Sequence, residues 1–246
     1  RNEVMIGDLD SGTLAVIEAF EALRTGEADR AVAVGHETPI EPQMVLYYQR
    51  MGLIASDTLY PFDERHDGSL FGEGAGALVL ETEASAKSRN ASVLGEILGG
   101  GYACEALGLA AIRDDGDGLA RAIRQALDDA GIAAADVGMI VAHANGTPQS
   151  DRSEAAAIRS VFGAAIPPVT GFKWAIGADL SPKSSGEITY GLTRVPLTAP
   201  TNDFPLIVIS SSPSSPYTTQ AASVFKSAKA LAVGSTSDRC QTPTNC

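Results

Sequence analysis

Apolar residues recur at helical spacing over residues 11–24. Leu14, Ile17, Phe20 and Leu23 form the stripe, with Val16 and Ala19 beside it and Gly26 as a stop signal. The spacing predicts a helix. Residues 31–35 and 77–80 are instead unbroken apolar runs, read as short strands buried on both faces. Pro42 leads into a second helical stretch over 44–51, and the polar run 87–90 marks a boundary. Beyond it the pattern predicts a strand over 92–98, ended by Gly99, Gly100 and Gly101. An amphipathic helix over 119–130 stopped by Gly131, a strand over 137–142 and a helix starting at Ser150 or Asp151 follow. Residues 169–172 lead into a further short element. Strands alternating with helices predict an α/β protein with largely buried sheets. From Ala178 onward Ser, Thr and Pro dominate. There only residues 206–209 read as a strand, and no structure is predicted after Pro216.

Composition narrows the function classes. The chain has 246 residues and a formal net charge of -12, which argues against a general nucleic-acid binder. No apolar run approaches the ~20 residues of a membrane span. Cys104, Cys240 and Cys246 form no CxxC pair, so neither a disulfide framework nor a zinc site is expected, and a cytoplasmic location fits. With no metal-ligand cluster and no cofactor fingerprint, no cofactor is expected. Gly72-Glu73-Gly74-Ala75-Gly76 lacks the Gly-Lys-Ser/Thr ending of a phosphate loop and leads into a strand rather than a helix, so close backbone packing explains it better.

Candidate chemistry gathers around His143, at the end of a strand, where α/β proteins collect their sites. A loop histidine bonding its own turn is the plainer alternative. Asp151 and Glu154 stand at helical spacing, which a capping box explains without further function. Lys173, set within Gly171-Phe172-Lys173-Trp174-Ala175-Ile176-Gly177, must either snorkel or find a carboxylate, and Glu154 is the candidate partner. His36 follows a strand, and His66 lies in a charged loop where solvation is expected.

These motifs line up in order. Pro61-Phe62-Asp63-Glu64-Arg65-His66-Asp67-Gly68, the glycine run into Ala77-Leu78-Val79-Leu80-Glu81, the segment from His143 through Pro148 and Asp151 to Glu154, and the Lys173 segment together resemble the β-ketoacyl-acyl carrier protein synthases. These are the condensing enzymes of fatty-acid and polyketide synthesis. The resemblance implies a thiolase-like fold of two similar halves in α-β-α-β-α layers. Residues 1–87 would be the end of the first half and 88–246 the second, with 178–246 divergent and irregular. The start of the first half would be missing, as in a fragment or a truncated reading of a longer gene. The family's nucleophilic cysteine would fall at Leu9, which cannot attack a thioester. Its second histidine would fall at Ala178, and its C-terminal glycine-rich motif survives at best as Val233-Gly234-Ser235.

His143, Lys173 and Glu154 are therefore the retained family positions. Two roles follow from the resemblance. One is a non-catalytic partner similar to the chain-length factors. The other is a truncated fragment of an active acyl-condensing enzyme. An active synthase using Asp8, Asp10 or Ser11 as nucleophile ranks third. The implied partners are an acyl carrier protein and a second subunit, in a homodimer or in a heterodimer with an active ketosynthase.

Overall fold

A computed structural model describes residues 11–37, 40–105, 107, 112–176, 205–211 and 219–227. The expected helix is present as α1 (Ser11–Arg24). It is followed by β1 (Arg30–Glu37), α2 (Pro42–Arg50), β2 (Gly74–Glu81) and α3 (Glu83–Ser88). Next come β3 (Gly95–Cys104), α4 (Asp117–Ala130), a short 3-10 turn and β4 (Met139–Val141). The series continues with α5 (Pro148–Phe162), β5 (Val169–Thr170), α6 (Lys173–Ile176), β6 (Pro205–Ser211) and β7 (Thr219–Ser227). Among the described residues, β1 and β2 pair antiparallel, and the other strands form one mixed sheet in the order β3-β7-β6-β4-β5. In it β4 runs parallel to β5 and β6, and β7 runs antiparallel to β6 and β3.

Helix α1 touches strands of both sheets, whereas α4 lies on β3 and β7 and packs against α5. The apolar stripe of α4 explains its place. Leu119, Ile123, Ala126 and Leu127 are buried with Ile140, Ile158, Phe162, Ile207 and Val224 in the main core. Burial of each of the Leu, Ile, Phe and Val side chains contributes about 1.5–3 kcal/mol. Gly131, at φ 66, closes α4 with a backbone bond to Leu127 O, the left-handed end that glycine permits.

Three expectations need correction. The glycines 99–101 do not end β3, which runs through them to Cys104. Successive positions of a strand face opposite sides. A Cβ at Gly99 would lie 2.5 Å from Ala130 N and one at Gly101 2.3 Å from Ala122 O, both in α4. One at Gly100 would lie 2.7 Å from Ile17 Cγ1 of α1. The glycines thus let two helices approach opposite faces of one strand.

Strands β1 and β2 are not buried on both faces. Ala33, Leu78 and Leu80 pack with Val16 of α1, but Val32, Val34 and Val79 are 61%, 58% and 68% exposed. Alternation, hidden in the sequence because both faces are apolar, appears because only one face has a covering layer among the described residues.

Nor is the tail irregular throughout. β6 extends the expected strand at both ends, and β7, placed where no structure was expected, lies between β3 and β6 with Ala222 and Val224 fully buried. Its Thr, Gln, Ser and Lys content disguises a central strand whose backbone bonds are made on both edges.

Candidate active site

Strand β4 delivers His143 to the end of the sheet. Ala142 N donates to Thr170 O, and the chain then turns sharply through Ala144 (φ 47) and Gly146 (φ 78). Asn145 Oδ1 accepts from the Thr147 backbone N and hydroxyl, and Pro148 opens α5 in the first turn, where its missing N–H leaves no bond unmade. Helix α5 therefore starts ahead of the expected Ser150 or Asp151.

Asp151 and Glu154 do not form the expected capping box. Glu154 is 1% exposed, and its carboxylate accepts from His143 N at 2.6 Å and Ala144 N at 2.9 Å. Burial pushes its carboxyl up from the ordinary range, opposed by the charge of His143, the backbone bonds from Ala144 and His143, and the charge of Lys173. Asp151, equally buried, accepts from Phe62 N and Gly146 N and lies 3.0 Å from His66 Nδ1. His66 is accordingly not a solvated loop residue; its side chain is 19% exposed.

Lys173 begins α6 and is buried, with Nζ 2.8 Å from His143 Nδ1. The structure brings His143, Lys173 and Glu154 into one cluster. Trp174 is no part of the lysine's apolar cover: it is 65% exposed and donates to Gly171 O. Gly171 allows the close approach, since a Cβ there would stand 2.8 Å from the Ala144 Cβ. An ammonium carries donors only, so when Lys173 holds its proton His143 Nδ1 accepts and the imidazole proton sits on Nε2. That arrangement offers an N–H donor suited to a carbonyl oxygen or an oxyanion.

Ser11 is buried at the start of described α1, and its hydroxyl finds no hydrogen-bond partner among the described residues. Leu9, Asp8, Asp10 and Ala178 lie outside the described residues, as do Cys240 and Cys246. Cys104 is exposed and free. Glu105, which the sequence pattern did not single out, is 5% exposed, and neither carboxylate oxygen has a hydrogen-bond partner among the described residues. Its one signal is an acid directly after a glycine-rich strand. Among the described residues no acid, histidine and cysteine cluster suits a metal ion, and no helix is long and apolar enough to cross a membrane.

Residues 10–86 match the beta-ketoacyl synthase N-terminal domain and residues 94–184 the beta-ketoacyl synthase C-terminal domain. The chain belongs to the β-ketoacyl synthase family. It is 36% identical over 160 residues to 3-oxoacyl-[acyl-carrier-protein] synthase 2 of Staphylococcus aureus, a match covering 63% of this chain and 40% of that protein. The protein of the same name from Mycobacterium bovis is 34% identical over 174 residues, covering 68% and 42%. The chain thus spans less than half the length of these curated relatives. Among solved structures it is similar to the ishigamide ketosynthase/chain length factor, with TM-score 0.78, 29% identity and coverage of 92% of this chain and 60% of that one. A type II PKS acyl-carrier protein in complex with its ketosynthase bound to the hexaketide gives TM-score 0.80 at 25% identity, covering 92% and 63%. The fold of this β-ketoacyl synthase family chain is the thiolase-like α/β fold of those ketosynthases.

Proposed function

We propose that this chain is a non-catalytic, chain-length-factor-like partner of an active ketosynthase in fatty-acid or polyketide synthesis, working in the cytoplasm. The observation that carries the reading is the intact His143–Lys173–Glu154 cluster in a chain whose nucleophile position is Leu9 and whose second-histidine position is Ala178. Leucine closes the covalent route to an acyl-enzyme. Absence of a second donor also removes a stabiliser of the decarboxylation transition state, typically about 10²–10³ in rate. What is left is a fixed imidazole that can hold a thioester carbonyl through Nε2–H.

Residues 1–87 serve as the later part of the first thiolase-like half and 88–246 as the second. The partners are an acyl carrier protein and a ketosynthase subunit, in a heterodimer or, between copies of this chain, a homodimer. Likeness to a solved ketosynthase/chain length factor supports this assignment.

Intact-mass spectrometry after incubation with an acyl-carrier-protein thioester tests it. The expected outcome is an unmodified chain. A stable acyl adduct mapped to Asp8, Asp10 or Ser11 overturns the non-catalytic role.

A further inference from the structure

We propose that Asp151 is a positioning residue that pins the His143 turn to the loop over residues 59–69, so that the two move as one unit. The inference rests on the reading of His143 as the working group of the site. Asp151 is 1% exposed and lies in the first turn of α5, yet its carboxylate serves neighbours outside its own helix. One oxygen accepts from Gly146 N at 3.1 Å, and the other accepts from Phe62 N at 2.7 Å and lies 3.0 Å from His66 Nδ1.

Both amides belong to backbone in the left-handed region, Phe62 at φ 58 and Gly146 at φ 78. For phenylalanine that conformation is an outlier that surrounding structure must hold. The two turns are also in close contact. A Cβ at Gly146 would stand 2.7 Å from Gly68 O and 3.2 Å from Leu59 Cγ. One carboxylate therefore sets two left-handed turns, and its contact to Phe62 spans 89 positions of sequence. Gly146 follows His143 by one short turn, whose other anchor is Glu154 through His143 N and Ala144 N. Glu154 holds the start of the turn and Asp151 its end. A histidine so clamped keeps its ring on Lys173, while the loop carrying Phe62 and His66 is held at the same place. The Asp151 link is distinct from the Lys173 contact, because it acts on backbone rather than on the imidazole.

The test is NMR on the free, full chain, with no carrier protein or ketosynthase present. A failed intact-mass experiment on the proposed function therefore leaves it standing, and its own failure leaves the intact-mass result standing. In Asp151→Ala, amide exchange at Phe62 and Gly146 is expected to rise together by about ten- to hundredfold, as for loss of hydrogen bonds to a charged group. The imidazole nitrogen signals of His143 shift, and those of His36 do not. Asp151→Asn keeps the side-chain shape and one acceptor oxygen, so one of the two amides loses protection, and His143 shifts less. Failure of both variants to fold, while the equally interior Ser153→Ala folds, also supports the pin. Wild-type protection at both amides, or unmoved His143 signals in a folded variant that has lost Gly146 protection, overturns the proposal.

Discussion

Lys173 and His143 are 30 positions apart in sequence, and Lys173 Nζ lies 2.8 Å from His143 Nδ1. The contact joins the first residue of α6 to the end of β4, and when Lys173 holds its proton it places the imidazole proton on Nε2. Glu154 completes the arrangement from α5 by accepting the His143 and Ala144 amides. An imidazole, a buried cation and a buried carboxylate are thus fixed by three different elements.

Replacing Lys173 with Met removes the hydrogen bond to His143 Nδ1 and, after His143 and the backbone bonds, the remaining charge that opposes the burial of Glu154. The fold is expected to lose about 1.5–3 kcal/mol at neutral pH, the range for removing a hydrogen bond made by a charged group. Without Lys173 the Glu154 carboxyl is pushed higher still, so the folded state holds its proton more tightly than the unfolded chain does. Stability then falls as pH rises through that window, and the loss shrinks in acid, where Glu154 is protonated in both states. Urea unfolding of K173M across pH checks this, and an equal loss at acid and neutral pH contradicts it.

Glu105 gives a second pH prediction. Burial pushes its carboxyl up, with Arg113 and Arg121 opposing. A raised folded value means that the folded state binds the proton more tightly. The Glu105 contribution to stability is complete below the ordinary carboxylate value of about 4.3 and is lost as pH rises toward the folded value. Glu105→Gln cannot ionise. It is expected to be more stable than the parent at neutral pH and level with it in acid, by thermal unfolding at both. A variant less stable at neutral pH contradicts the assignment.

Gly101→Ala and Gly131→Ala separate two reasons for glycine. At Gly101 a Cβ meets backbone, 2.3 Å from Ala122 O and 2.6 Å from Ala126 N, so α4 must shift. The expected loss is about 1–3 kcal/mol or more, as for overpacking. At Gly131 a Cβ meets nothing within 4 Å, but φ is 66, and the expected loss is about 1–2 kcal/mol from the left-handed backbone alone. Denaturant midpoints and hydrogen exchange in α4 distinguish them, because Gly101→Ala disturbs the middle of α4 whereas Gly131→Ala disturbs only its last turn.

The bare face of β1 and β2 carries Val32, Val34 and Val79. Among the described residues nothing covers this face, and apolar side chains left so exposed invite association. The purified chain is expected to self-associate in analytical ultracentrifugation, and Val79→Glu with Val34→Lys to reduce it without lowering the unfolding midpoint. A monodisperse monomer of the parent chain removes this expectation.

Much of the architecture was legible in the residue pattern. The stripes of α1 and α4 repeat at 3.6 residues, so their helices follow from local periodicity and their buried faces from the same positions. His143 and Lys173 stood out as candidates at the end of an apolar strand and inside an apolar stretch, but their contact was not legible, because 30 positions separate them. Placing Leu9 at the nucleophile position took the family resemblance. What stayed hidden depends on partners far along the chain. β7 is a strand because β3 and β6 bond to its two edges, and its Ser, Thr and Gln residues carry no local sign of that. Glycines 99–101 read as an end because local grammar treats glycine as a breaker, whereas the approach of α1 and α4 makes them the only side chains small enough for β3. Asp151 and Glu154 have the spacing of a cap, a pattern one helix can satisfy alone. Only tertiary structure could turn the two carboxylates toward Phe62, His66, Gly146 and His143, because buried amides left by left-handed turns need acceptors that their own segments cannot supply.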